Sequence, residues 1–115
     1  DIRELVTDIL RDVGYEVELA SDGAEAILKV GETPFDLVVT DLGMPGVSGW
    51  DVARETRAAQ PEVRILLLTG WGATLDQDEV ERNGIDRTLK KPFEMNELLR
   101  VIQDLLSGVP LRKSA

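Results

Sequence analysis

At 115 residues and 43% hydrophobic content, the chain is long enough for one domain with a real core and too apolar to be disordered. Its 22 acidic residues against 13 basic ones leave a formal charge of −9, which argues against direct binding to nucleic acid or to an anionic membrane surface. Cysteine and histidine are both absent, which excludes disulfides, thiolate chemistry, Ser-His-Asp catalysis and imidazole metal ligation; acid–base or phosphoryl chemistry must rest on Asp, Glu, Lys, Thr or Ser.

The chain opens in a helical pattern. Ile2, Leu5, Val6, Ile9, Leu10 and Val13 recur at helical steps, and Gly14 closes the run as a C-terminal cap. Tyr15 to Ala20 alternates around Val17 and Leu19, which predicts a short strand. Asp22 followed by Glu25 reads as a capping box opening a second helix that ends near Gly31 and Pro34. A strand is expected at 35–41, where an unbroken apolar run from Leu37 ends in Asp41 and a Pro/Gly turn follows. Such a run suits a strand of a parallel sheet covered on both faces.

Ser48 and Asp51 cap a third helix through about Ala59, and Pro61 stops it. Arg64 to Thr69 is a second buried strand, and Gly70-Trp71-Gly72 is its exit loop. A polar helix is expected over about 74–83, ending at Asn83-Gly84, with a brief strand at Arg87 to Lys90. The last helix carries Met95, Leu98, Leu99, Ile102, Leu105 and Leu106 on its apolar stripe. Ser107 to Ala115 reads as a linker or tail, so the domain proper is 1–106. No apolar run nears the roughly 20 residues needed to span a bilayer, and no signal-peptide pattern opens the chain, which fits a cytoplasmic protein. Alternating helices and strands joined by right-handed crossovers give an α/β parallel sheet with helices on both faces.

Asp41, Thr69 and Lys91 each fall at the C-terminal end of a predicted strand, the edge where open α/β sheets bind ligands. Taken singly, each has an ordinary explanation: a turn-capping aspartate, a threonine satisfying a strand end, a solvated lysine beside a second one at Lys90. Together they form a coherent set, because a carboxylate can attack an electrophile while a hydroxyl and an ammonium hold the oxygens of an anionic product. Pro92 follows Lys91 directly; an X–Pro bond in such a loop is a candidate for the cis form, although trans is the commoner outcome.

These residues resemble the receiver domain of two-component response regulators, over Asp1 to about Leu106. The likeness is carried by Asp41-Leu42-Gly43-Met44-Pro45-Gly46 with Ser48-Gly49, by Leu67-Leu68-Thr69-Gly70, and by Lys91-Pro92-Phe93 with Glu97-Leu98. It implies a flavodoxin-like doubly wound sheet of order 2-1-3-4-5. It further implies that Asp41 accepts a phosphoryl group from the histidine of a kinase or histidine phosphotransfer domain. Thr69 is then the switch hydroxyl, Lys91 pairs with the carboxylate or phosphate, and the Lys91–Pro92 bond is cis. Gly43 matches the position whose carbonyl binds Mg²⁺ alongside Asp41. The readout surface is the polar fourth helix with the last strand and helix, and the domain is a signalling module, not an enzyme beyond its own phosphorylation and dephosphorylation. Fusion to a hybrid sensor kinase is one implied context.

Two departures from the family follow. The family's first strand ends in two acidic residues that complete the Mg²⁺ site, and this sequence starts at the helix after it. The expectation is therefore a fragment, or a sheet slot filled by another segment, with weak Mg²⁺ binding. Thr88 stands where the family often carries a switch aromatic, and Trp71 is a candidate to cover the phosphoryl site instead, the alternative being a partly exposed loop tryptophan. Two competing functions remain open: a degenerate receiver that binds partners without phosphorylation, and a phosphatase of the haloacid dehalogenase type. The latter chemistry typically needs a second acid two residues after its nucleophile, where Gly43 stands.

Overall fold

In the computed structural model, residues 2–41, 48–70 and 76–107 are described. Their elements run α1 (Ile2–Asp12), α2 (Gly23–Glu32), β1 (Leu37–Asp41), α3 (Gly49–Ala59), β2 (Arg64–Thr69), α4 (Gln77–Arg82), β3 (Arg87–Lys90) and α5 (Met95–Leu106). The three strands form one parallel sheet in the order β1-β2-β3. Central β2 is buried on both faces, as its continuous apolar sequence requires. Leu66 and Leu68 pack with Leu89 against Leu10 of α1 and Leu98, Val101, Ile102 and Leu105 of α5. Ile65 and Leu67 pack on the opposite face with Ala53 of α3, Val80 of α4 and Ile85. The expected α/β layering is therefore present, and no described helix is long and apolar enough to cross a membrane.

One expected strand is not formed. Tyr15 to Ala20 keeps its alternation, with Tyr15 and Val17 packed toward the core and Glu16 and Glu18 exposed, but it joins no β ladder. A strand needs a neighbour to pair with, and a cavity of about 730 Å³ separates this segment from β1. Its walls include Val17, Leu19, Val30, Leu37, Val39 and Ile102. The sheet order and this gap match a 2-1-3-4-5 arrangement in which the position beside β1 is open. The fourth helix is shorter than expected, starting at Gln77 behind its Asp76 cap.

Two helices end as their glycines dictate. Gly14 and Gly84 both have positive φ (104° and 77°), and in each case the next residue donates to a carbonyl five residues back: Tyr15 to Leu10 and Ile85 to Val80. Helix α3 opens with a reciprocal capping box between Ser48 and Asp51. The box expected at α2 is displaced by one residue. Asp22 accepts from the Glu25 amide, but the Glu25 carboxylate turns to the amide and hydroxyl of Ser21.

The end of α3 ties the N-terminal edge of the sheet together. Arg57 donates to the carbonyls of Pro61, Val63 and Gly84 at 2.6–2.8 Å and forms an ion pair with Asp86 at 3.0 Å. The Asp86 side chain has 0% exposure, and it also accepts from the Ile65 amide at 2.7 Å. One turn on, Gln60 donates to the carbonyls of Val30 and Thr33 and accepts from the Phe35 amide. Three residues apart, two side chains hold β2 to β3 and α2 to β1.

Arg57→Ala removes the partner of a wholly buried carboxylate, and urea denaturation should register a loss of about 3 kcal/mol. Arg54→Ala, which breaks an exposed pair with Asp51, should cost less than about 1 kcal/mol. The Ser48 hydroxyl, followed by the Ser48 amide, holds the Asp51 carboxyl below its ordinary value. A depressed carboxyl stabilises the fold above the unfolded-state value, and that support disappears as pH falls through the lowered one. Asp51→Asn should therefore flatten part of the acid limb of a stability–pH curve.

Candidate functional site

Parallel pairing places the C-terminal ends of all three strands at one edge. Asp41 stands in register with Leu68, and Thr69 with Lys90. Each candidate side chain is put there by a short local rule. The apolar run of β1 ends at Asp41, so its carboxylate leaves the core, and its side chain is 32% exposed. The burial of β2 continues to its last residue, so Thr69 has 0% exposure. The Lys91 amide donates to the Thr69 carbonyl at 2.8 Å, extending the β2–β3 ladder past β3. The Lys91–Pro92 bond is cis.

Lys91 Nζ is hydrogen-bonded and ion-paired to Asp41 Oδ2. The Thr69 Oγ1 is buried, with no hydrogen-bond partner among the described residues. A buried hydroxyl in that state costs about 1–3 kcal/mol, so it marks a place where a polar ligand belongs. The edge thus offers an accessible carboxylate nucleophile, a cation already aimed at it, and a spare hydroxyl donor. That set suits attack on an anionic electrophile, with the ammonium offsetting charge that would otherwise repel it. Gly43 and Trp71 lie outside the described residues. Thr88 is half-buried, in register with Leu67.

A divalent cation fits these residues poorly by themselves. Among the described residues no group of three or more carboxylates gathers, and Asp41 is the carboxylate that the strand ends place at this edge. A hard cation such as Mg²⁺ takes oxygen donors in near-octahedral geometry and is usually held by one or two carboxylates with waters. An ammonium already occupies one face of that carboxylate.

Sequence reasoning passed over Arg57, Gln60 and Asp86, whose partners lie 21–30 residues away. The one available signal was an acid placed between Ile85 and a strand, a costly position unless a cation reaches it. It also left Lys90 as a surface lysine, although register sets it beside Thr69.

Comparison with known proteins gives a consistent picture. The profile of the response regulator receiver domain family matches residues 1–103. The response regulator receiver protein CpdR of Brucella abortus is 30% identical over 106 residues, covering 92% of this chain and 88% of CpdR. The chemotaxis protein CheY4 of Vibrio cholerae superposes with a TM-score of 0.83 at 33% identity, covering 91% of this chain and 89% of CheY4. The receiver domain of the Pseudomonas aeruginosa sensor histidine kinase PA1611 superposes at 0.78 with 30% identity, covering 91% and 88%, and its structure holds a magnesium ion in the active-site cleft. The chain spans about half the length of the transcriptional regulators it matches.

The Asp41–Lys91 pair is partly exposed, so a double-mutant cycle with Asp41→Ala and Lys91→Ala should return a coupling of about 1 kcal/mol or less, shrinking as salt is raised.

Proposed function

The chain belongs to the response regulator receiver domain family, and on that premise we propose that Asp41 is the phosphoacceptor of a two-component signalling switch. The observation that carries this reading is the Asp41–Lys91 pair at the sheet edge, with the buried Thr69 hydroxyl at the C-terminal end of the adjacent strand. In the transfer, an Asp41 carboxylate oxygen forms a bond to phosphorus as the P–N bond of a phosphohistidine breaks. The imidazole nitrogen leaves with the electron pair and takes up a proton. The histidine must come from the partner, a kinase or phosphotransfer domain, since this chain has none.

Before transfer, Lys91 neutralises the carboxylate and lowers the repulsion an anionic donor meets. Afterwards the phosphoryl group carries about −1.5 to −2 charges, and Lys91 pairs with it. Thr69 donates its hydroxyl to a phosphoryl oxygen, gaining the partner it lacks among the described residues. Those two displacements shift a pre-existing balance between two arrangements of the edge, read on the surface of α4, β3 and α5. Trp71, outside the described residues, is a candidate to shield the acyl phosphate from water, the alternative being a loop tryptophan with no part in the site. The domain works in the cytoplasm over residues 1–106, with 107–115 as linker, either free or fused to a larger sensor kinase. The cavity beside β1 takes a further apolar strand, whose end would add the acidic ligands Mg²⁺ requires.

Acetyl phosphate and magnesium, added to the intact protein that contains these residues, should add about 80 Da at Asp41. Asp41→Asn should abolish the adduct, Thr69→Ala should slow its formation by about tenfold or more, and Trp71→Ala should shorten its lifetime. That no group of three or more potential metal ligands gathers among the described residues favours a second reading, a receiver that binds partners without phosphorylation. Failure of the intact protein to gain the adduct would establish that reading instead.

A further inference from the structure

We propose that Lys90 is a second cation of the phosphoryl site, a positioning residue that draws the anionic donor toward Asp41 and holds the transferred group beside Thr69. The inference rests on the reading of Asp41 as phosphoacceptor.

Strand geometry places it. Leu89 is buried with Leu66, Leu68 and the α5 leucines, so its neighbours Thr88 and Lys90 face the other side of the sheet. Lys90 is in register with Thr69, and residues so paired in a parallel ladder point the same way. Thr69 shares its face with Ile65 and Leu67, which belong to the α3 and α4 cluster. The two side chains therefore leave adjacent strands, about 4.8 Å apart, on one face, while Asp41, in register with Leu68, leaves on the other, so Lys90 approaches the strand ends from the side opposite Asp41. Thr69 is sealed from solvent while Lys90 is exposed, on a flexible four-carbon stem at the last position of β3.

Charge counting assigns its task. The other cations near the ends of β3 are engaged: Lys91 with Asp41, and Arg87 with Asp104 at 4.0 Å. Among the described residues Lys90 forms no ion pair. The Asp41–Lys91 pair is neutral at rest; transfer consumes the carboxylate's own charge and leaves about 1.5 to 2 negative charges on the acyl phosphate, about one more than before. One ammonium cannot balance them. A donor anion also approaches against the chain's net charge of −9, and a local cation raises its concentration at the edge.

Acetyl phosphate, with magnesium at a fixed saturating concentration, tests this directly in the intact protein: its P–O bond breaks, acetate leaves with the electron pair, and Asp41 gains the phosphorus. Adduct formation is followed by mass against donor concentration for the parent, Lys90→Gln and Lys90→Arg. Lys90→Gln should raise the half-saturating donor concentration about three- to tenfold at low salt, with a smaller change in maximal rate. The gap should close near about 1 M salt, and Lys90→Arg should restore the parent curve. A Lys90→Gln curve that overlays the parent at every salt would make Lys90 a solvated surface lysine and sink the inference alone. A parent protein that gains no adduct sinks both the inference and the reading beneath it.

Discussion

Strand β2 lies between two parallel neighbours, and that shared direction is the constraint on which the rest of the molecule depends. With β1, β2 and β3 all pointing the same way, their C-terminal ends gather at one edge and their N-terminal ends at the other. Hydrophobic burial secures the arrangement: Ile65, Leu66 and Leu67 are fully buried, alternating between the two clusters that clothe the sheet. A slip of one residue in β2 would exchange those clusters and carry Thr69 to the wrong face. Chemistry at the edge is thus held in place by packing that takes no part in it.

The edge itself is an exercise in charge management. On the proposed reading Asp41 attacks phosphorus, which a carboxylate does best when its charge is offset, and Lys91 is ion-paired to it without burying it. Partial exposure matters here, because a fully buried pair would demand its desolvation cost and shut out a partner. Elsewhere the protein uses the opposite solution. Asp86 is completely enclosed, and Arg57 pairs with its Oδ2 while donating to three backbone carbonyls, an arrangement suited to holding parts still.

How much of this was legible in the sequence follows from how local each signal is. Helix caps at Gly14, Ser48 and Gly84, the apolar runs of β1 and β2, and the strand-end positions of Asp41, Thr69 and Lys91 depend on residues within a few positions of one another, and pattern reading finds them. The segment at 15–20 carried the right alternation yet forms no strand, since pairing depends on a distant neighbour that alternation does not encode. The α2 box slipped by one residue because Ser21 offered Glu25 both an amide and a hydroxyl, a competition that spacing alone does not rank. Arg57 and Gln60 look like ordinary polar positions near a helix end, and their significance exists only once residues about thirty apart meet.

The clamp at the end of α3 has a mechanical consequence. Arg57 and Gln60 bolt the root of the sheet to three surrounding elements, while the tip is joined by the Asp41–Lys91 pair and by the Lys91 amide on the Thr69 carbonyl. A body fixed at one end and loaded at the other behaves as a cantilever: small forces at the tip become tilts, with the greatest travel farthest from the anchorage. The same helix that looks like mere scaffolding therefore supplies the fixed point against which any movement at the tip is set.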